Sequence, residues 1–181
     1  MTGWIIRAIG ACALIVSAAA ASSASRSLAW HALALEPAPA GVRAPEFALV
    51  DLSGRAVRRA DLRGRWVLLN FWASWCTPCE MEMPAMQRLQ ARFAPSTLEV
   101  VAVNYREAAD DVRRFASRQG VDFRILLDSE GTVSARYQVG TLPFTDILSP
   151  RGEVVAAAEG PRDRASRDVL RFFGELIGRT P

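Results

Sequence analysis

Trp66-Val-Leu-Leu-Asn-Phe-Trp-Ala-Ser-Trp-Cys-Thr-Pro-Cys79 begins as a nearly continuous apolar run and ends on two cysteines three positions apart. A short run of this kind, preceded by Gly64, suits a strand buried on both faces of a sheet. Residues 77 to 93 then read as a helix, because Met83, Met86, Leu89 and Phe93 recur at spacings of three and four and share one face. Pro84 lies inside this helix and predicts a kink. The cysteines therefore stand where a strand turns into a helix. A thiol at a helix N-terminus meets unpaired backbone N–H groups and the positive end of the helix dipole, and both favour the thiolate. Pro78 gives up an N–H that the first turn leaves unused.

The spacing alone admits three chemistries: a redox pair, half of a zinc site, or an inert bridge. Zinc needs about four ligands, and the chain has one further Cys, Cys12, and one His, His31, both far upstream. A bridge over so short a loop constrains little of the unfolded chain. Redox chemistry is the expectation.

Outward from this core, Phe47–Val50 and Ala56-Val57 flank the turn Asp51-Leu-Ser-Gly54 and predict a hairpin. Leu98–Val103 reads as a second buried strand. Asp110-Asp111 opens a helix with Val112, Phe115 and Ala116 inward, and Gly120 ends it. Arg124–Leu127 is a short strand. Thr145–Leu148 and Val154–Ala157 flank the turn Ser149-Pro-Arg-Gly152. A last helix runs from about Arg164, with Val169, Phe172, Phe173, Leu176 and Ile177 on one face. Strands alternating with helices, closed by a hairpin and a helix, predict the α/β class: a mixed sheet with helices on both faces.

The stretch Asn70–Cys79, continued by Glu80-Met-Glu-Met-Pro84, resembles the active site of the TlpA/ResA/DsbE-like branch of thioredoxin-fold proteins, exported thiol-disulfide oxidoreductases. The pattern W-C-x-P-C-x-x-E-x-P is met at Trp75, Cys76, Pro78, Cys79, Glu82 and Pro84. The likeness covers about residues 43 to 158, from Ala44-Pro-Glu-Phe-Ala-Leu49 to Tyr137-Gln-Val-Gly-Thr-Leu-Pro143. It implies a thioredoxin-like mixed sheet flanked by helices, with an N-terminal β-hairpin extension.

The resemblance also implies roles. Cys76 is the attacking thiolate and Cys79 the resolving thiol, linked by mixed-disulfide exchange. Glu82, three residues beyond Cys79, exchanges protons with that thiol; its other reading is a solvated helix carboxylate. Asn70 stands where cytoplasmic thioredoxins keep a buried Asp. Leu142-Pro143 matches the family's cis-proline, which faces the cysteines, and its loop offers an edge to the substrate backbone. Trp75, Thr77, Pro78 and Leu142 border the substrate, and Trp72 reads as core. The implied function is reduction of protein disulfides, in apocytochrome c or a copper-site assembly protein. Re-reduction comes from a membrane electron donor, and the redox-active disulfide Cys76–Cys79 serves in place of a cofactor. An oxidant or isomerase is the alternative. A peroxidase lacks its P-x-x-x-T-x-x-C pattern, since Ala73 stands three before Cys76. Sco-like copper delivery lacks its C-x-x-x-C and downstream His.

Departures from the family follow Pro143. Phe144 is positioned to shape an apolar substrate groove. Asp146 interrupts an apolar strand, where a lone carboxylate is costly to bury. Either that strand faces water or Asp146 interacts with the site region.

The N-terminus is of another kind. Arg7 is the only charged side chain in residues 1–24, and Ala8–Ala21 is an apolar run followed by the small-residue tract Ala21-Ser-Ser-Ala-Ser25. This is the layout of a secretory signal. The run falls short of the roughly 20 residues of a membrane span, so a cleaved signal is expected, with a retained membrane anchor or a lipoprotein through Cys12 as alternatives. Each exports the rest of the chain, and the expected location is the periplasm. Residues 25–42, with Pro37 and Pro39, read as a linker to a domain over 43–181.

Composition fits a globular domain: 181 residues, 50% hydrophobic and 23% charged. The formal charge is +3 at pH 7, and all 22 basic residues are Arg. They are scattered, with no concentrated basic stripe, so a nucleic-acid partner is not expected.

Overall fold

The structure is a computed structural model that describes residues 35–161 and 167–178. The expected signal or anchor (1–24), residues 25–34 of the expected linker, Cys12, His31 and the start of the last helix at residue 164 lie outside the described residues. Among the described residues, no helix is long and apolar enough to cross a membrane.

Eight strands form one mixed sheet: β1 (Glu36–Pro37), β2 (Ala48–Asp51), β3 (Ala56–Arg58), β4 (Trp66–Trp72), β5 (Leu98–Tyr105), β6 (Arg124–Asp128), β7 (Phe144–Leu148) and β8 (Val154–Glu159). Their order across the sheet is β1-β8-β7-β4-β5-β6-β2-β3. Among the described residues the α-helices are α1 (Thr77–Arg92), α2 (Ala109–Gln119), α3 (Thr132–Arg136) and α4 (Arg167–Gly178). β4 is central, parallel to β5 and antiparallel to β7, and all seven of its residues are buried. A continuous apolar run needs this position, since both of its faces must be covered.

Alternation along β4 splits the interior into two cores. Leu68 and Trp72 join Met83, Met86 and Leu89 of α1, Phe115 of α2 and Phe173 of α4. Val67, Leu69 and Phe71 point the other way, toward Phe47, Val57, Val133, Tyr137 and Phe144. Helices cover both faces, as the strand–helix alternation predicts. α1 runs unbroken through Pro84. α2 ends at Gly120, whose φ of 63° lets its N–H reach back to the carbonyls of Ala116 and Ser117.

β2 and β3 pair as an antiparallel hairpin, and β2 also pairs with β6 at that side of the sheet. β1 is a finding. The end of the stretch read as linker pairs with Ala156 and Ala157 of β8, and Leu35 is buried. Pro37 is tolerated because this is an edge strand. α3 is also beyond the sequence reading. It follows Gly131, and the Asp128 carboxylate accepts the backbone N–H groups of Val133 and Ser134 at 3.2 and 2.8 Å.

Candidate active site

β4 delivers Ala73-Ser-Trp75 to its C-terminal end, and α1 starts directly after it. Cys76 is the N-cap of α1 with an extended backbone (φ −91°, ψ 96°), and its Sγ accepts the backbone N–H of Cys79 at 3.3 Å. The two cysteines form a disulfide with Cα atoms 5.2 Å apart. Cys76 is 6% exposed and Cys79 1%, so Cys76 is the more accessible residue of the pair. A thiolate at Cys76 meets the N–H groups of the first turn, the environment that lowers a thiol's pKa.

Cys76 lies in a groove of about 550 Å³ that Trp75, Thr77, Pro78, Tyr105 and Leu142 also line. Trp75 is 65% exposed at its mouth, whereas Trp72 is fully buried as expected of core. The Leu142–Pro143 peptide bond is cis. Leu142 is half-buried at the groove and Pro143 is buried behind it, its carbonyl accepting the Gly160 N–H at 2.8 Å. Of the residues expected to border a substrate, the structure thus gathers Trp75, Thr77, Pro78 and Leu142 around Cys76.

Glu82 is buried, at 2% exposure, one turn beyond Cys79. The solvated-carboxylate reading is overturned, because the inner face of α1 presents Glu82 to the sheet. Asn70 donates through Nδ2 to Thr145 Oγ1 at 2.9 Å and makes a long contact to Glu82 Oε2 at 3.5 Å. Asn70 and Thr145 face each other across β4 and β7. A buried carboxyl with polar neighbours can take up or release a proton without meeting bulk water.

Two expectations are corrected by the same register. Leu69 opposes Asp146 and Phe71 opposes Phe144 across β4 and β7, so both side chains point away from the cysteines. Phe144 packs 6.1 Å from the Phe71 ring in the opposite core and is not among the residues lining the groove at Cys76. Asp146 is buried at 5% exposure, so the strand does not face water there, and it lies across the sheet from the site. Burial pushes its carboxyl up to about 7. Burial first, and then the charge of Asp146, also raises the Tyr137 hydroxyl, which donates to the Pro45 carbonyl at 2.8 Å.

Glu107 belongs to the site, and the sequence reading missed it. Its carboxylate accepts the Ser74 backbone N–H at 2.7 Å, the Ser74 hydroxyl, and Asn104 Nδ2 at 2.6 Å. The loop carrying Trp75 and Cys76 is thereby tied to the end of β5. The only cue in the sequence was an acid just past a strand end, which is too common to single out. Among the described residues, no group of three or more His, Cys, Asp or Glu side chains is placed to hold a metal ion.

The AhpC/TSA family model matches residues 40–157. ResA, a thiol-disulfide oxidoreductase of Geobacillus kaustophilus, is 44% identical over 136 residues, 75% of this chain and 77% of that protein. The chain belongs to the AhpC/TSA family, in its ResA-like branch. ResA of Bacillus subtilis is 39% identical over 120 residues, covering 66% of this chain and 67% of that one. A solved Chlorobium tepidum structure, assigned as the thiol:disulfide interchange protein DsbE, superposes with a TM-score of 0.68 at 31% identity. It covers 76% of this chain and 96% of its own. The fold of this ResA-like protein is thioredoxin-like, its activity is thiol-disulfide exchange, and its substrates are protein disulfides.

Proposed function

We propose that this ResA-like protein is an exported, periplasmic reductant of protein disulfides. The observation that supports it most is the asymmetry of the pair: Cys76 opens to a groove, while Cys79 and a carboxyl are sealed behind it. In the reduced protein the Cys76 thiolate attacks one sulfur of a substrate disulfide, and the other leaves as a thiolate that takes up a proton. Cys79 then loses its proton, with Glu82 as acceptor, and attacks the Cys76 sulfur. The second substrate thiolate departs, two electrons have moved to the substrate, and the Cys76–Cys79 disulfide remains.

Trp75, Thr77, Pro78 and Leu142 hold the substrate segment, with Pro143 keeping a competing N–H out of the loop beside the cysteines. A membrane donor of the thiol-reducing type restores the dithiol, and the N-terminal segment delivers or anchors the chain outside the cytoplasm. Apocytochrome c or a copper-site assembly protein is the substrate class that the family resemblance supports. The test is Cys79→Ser, challenged with an oxidised peptide carrying C-x-x-C. The variant is expected to accumulate a mixed disulfide through Cys76; an absence of adduct at Cys76 would overturn the assignment.

A further inference from the structure

We infer that Asn70 is a positioning residue that orients the Glu82 carboxyl and sets the pH at which it exchanges its proton. This rests on Glu82 serving as proton acceptor for Cys79. Asn70 is fully buried in the central strand beneath α1. Its Nδ2 is shared between Thr145 Oγ1 at 2.9 Å and Glu82 Oε2 at 3.5 Å, while its Oδ1 is buried without a hydrogen-bond partner.

An open buried acceptor is costly in a purely structural side chain. Beside a group that cycles between two protonation states it has a use. The ionised carboxyl can accept from the amide Nδ2, and the same side chain carries an acceptor, Oδ1, for a protonated one. An amide is therefore matched to both states, where an Asp would place a second negative charge next to the first. Thr145 fixes the amide plane from β7. Around Glu82, Cys79 is the titratable neighbour on α1. β4 and β7 present the neutral Asn70 and Thr145, and the apolar core on this face includes Ala156 and Ala158 of β8 and Phe173 of α4. Asp146, the acid on β7, points to the opposite face.

The test follows the resolving step alone. A thionitrobenzoate mixed disulfide is formed at Cys76. Cys79 then attacks the Cys76 sulfur, thionitrobenzoate leaves with the bonding pair, and the Cys79 proton passes to Glu82. Release is timed by stopped flow from pH 4 to 9 in an Asp146→Asn background, which removes the acid on the opposite face whose carboxyl burial raises to about 7.

Asn70→Asp is expected to move the midpoint of the profile upward by about one unit or more, because two carboxyls then share the site. Thr145→Val, which frees the amide plane without adding charge, is expected to move it by less, and it decides the matter if Asn70→Asp fails to fold. Lower rates with an unmoved midpoint in both variants would reduce Asn70 to a packing residue and overturn the inference. So would a downward shift in Asn70→Asp. Glu82→Gln separates the two layers: a profile identical to its parent means that the proton-acceptor role itself fails, whereas a slow, flattened profile keeps that role and leaves the Asn70 variants to judge Asn70.

Discussion

Glu82 and Asp146 are carboxyl groups buried on opposite faces of the sheet. Glu82 sits under α1 with Asn70 and Thr145 beside it and Cys79 one turn away. Asp146 sits across the sheet, with Leu69 and Ala157 as its strand partners, and desolvation pushes its carboxyl up to about 7. Thr145 and Asp146 are adjacent in the chain, yet one joins the chemistry and the other is walled off from it by the thickness of a strand. Proximity in sequence to the cis-proline therefore says little about function, and strand alternation says a great deal. Burial by itself does not make a working acid either. A polar partner and a reactive neighbour on the same face set Glu82 apart from Asp146.

This contrast can be broken by exchanging the charges one at a time. Glu82→Gln is expected to slow disulfide exchange on the order of a hundredfold, within the range of a lost general acid–base, while the fold is kept. Asp146→Asn is expected to leave the exchange rate as it is and to change the pH dependence of stability instead. The sign follows from the raised carboxyl. The folded state binds the Asp146 proton up to about pH 7, whereas the unfolded chain releases it from near the ordinary value of 3.8. Stability is then full below about pH 4 and declines as pH rises through 7, by up to about 4 kcal/mol. Denaturant unfolding should show the variant more stable than the parent above pH 7 and the two converging near pH 4. Equal effects of both substitutions on exchange would erase the distinction between the faces.

The smallest expected effect sharpens the description of the site side. Glu107→Ala removes the acceptor that ties Ser74 to Asn104. Exchange should slow several-fold, up to about tenfold, since a loosened loop misplaces Cys76 without removing any reacting group. Hydrogen exchange at the Ser74 amide should rise in parallel; unchanged protection there would mean that the loop is held by other contacts.

Much of this was legible in the chain. The apolar run of β4, the helical spacing of Met83, Met86 and Leu89, and the cysteine pair between them are long or chemically distinct patterns, and together they locate the site and the fold. β1 and α3 were not legible, because two and five residues are too short to show a period. Glu107 was not, because its partners come from the β4–α1 loop and the end of β5, and no spacing encodes that meeting. Phe144 and Asp146 were misread for a different reason. Their place after Pro143 suggested the site, but the face they occupy is set by the β7 register against β4, which only the folded sheet supplies.

Whether Cys76 and Cys79 work as a reductant is read from the reduction potential of the pair. It can be followed by the fluorescence of Trp75 beside the pair, in glutathione or dithiothreitol buffers on the full chain. A reductant of this kind is expected to show a value near or below that of thioredoxin, about −270 mV. A value near that of the strong periplasmic oxidant DsbA, about −120 mV, would mean that the pair installs disulfides, and would contradict it.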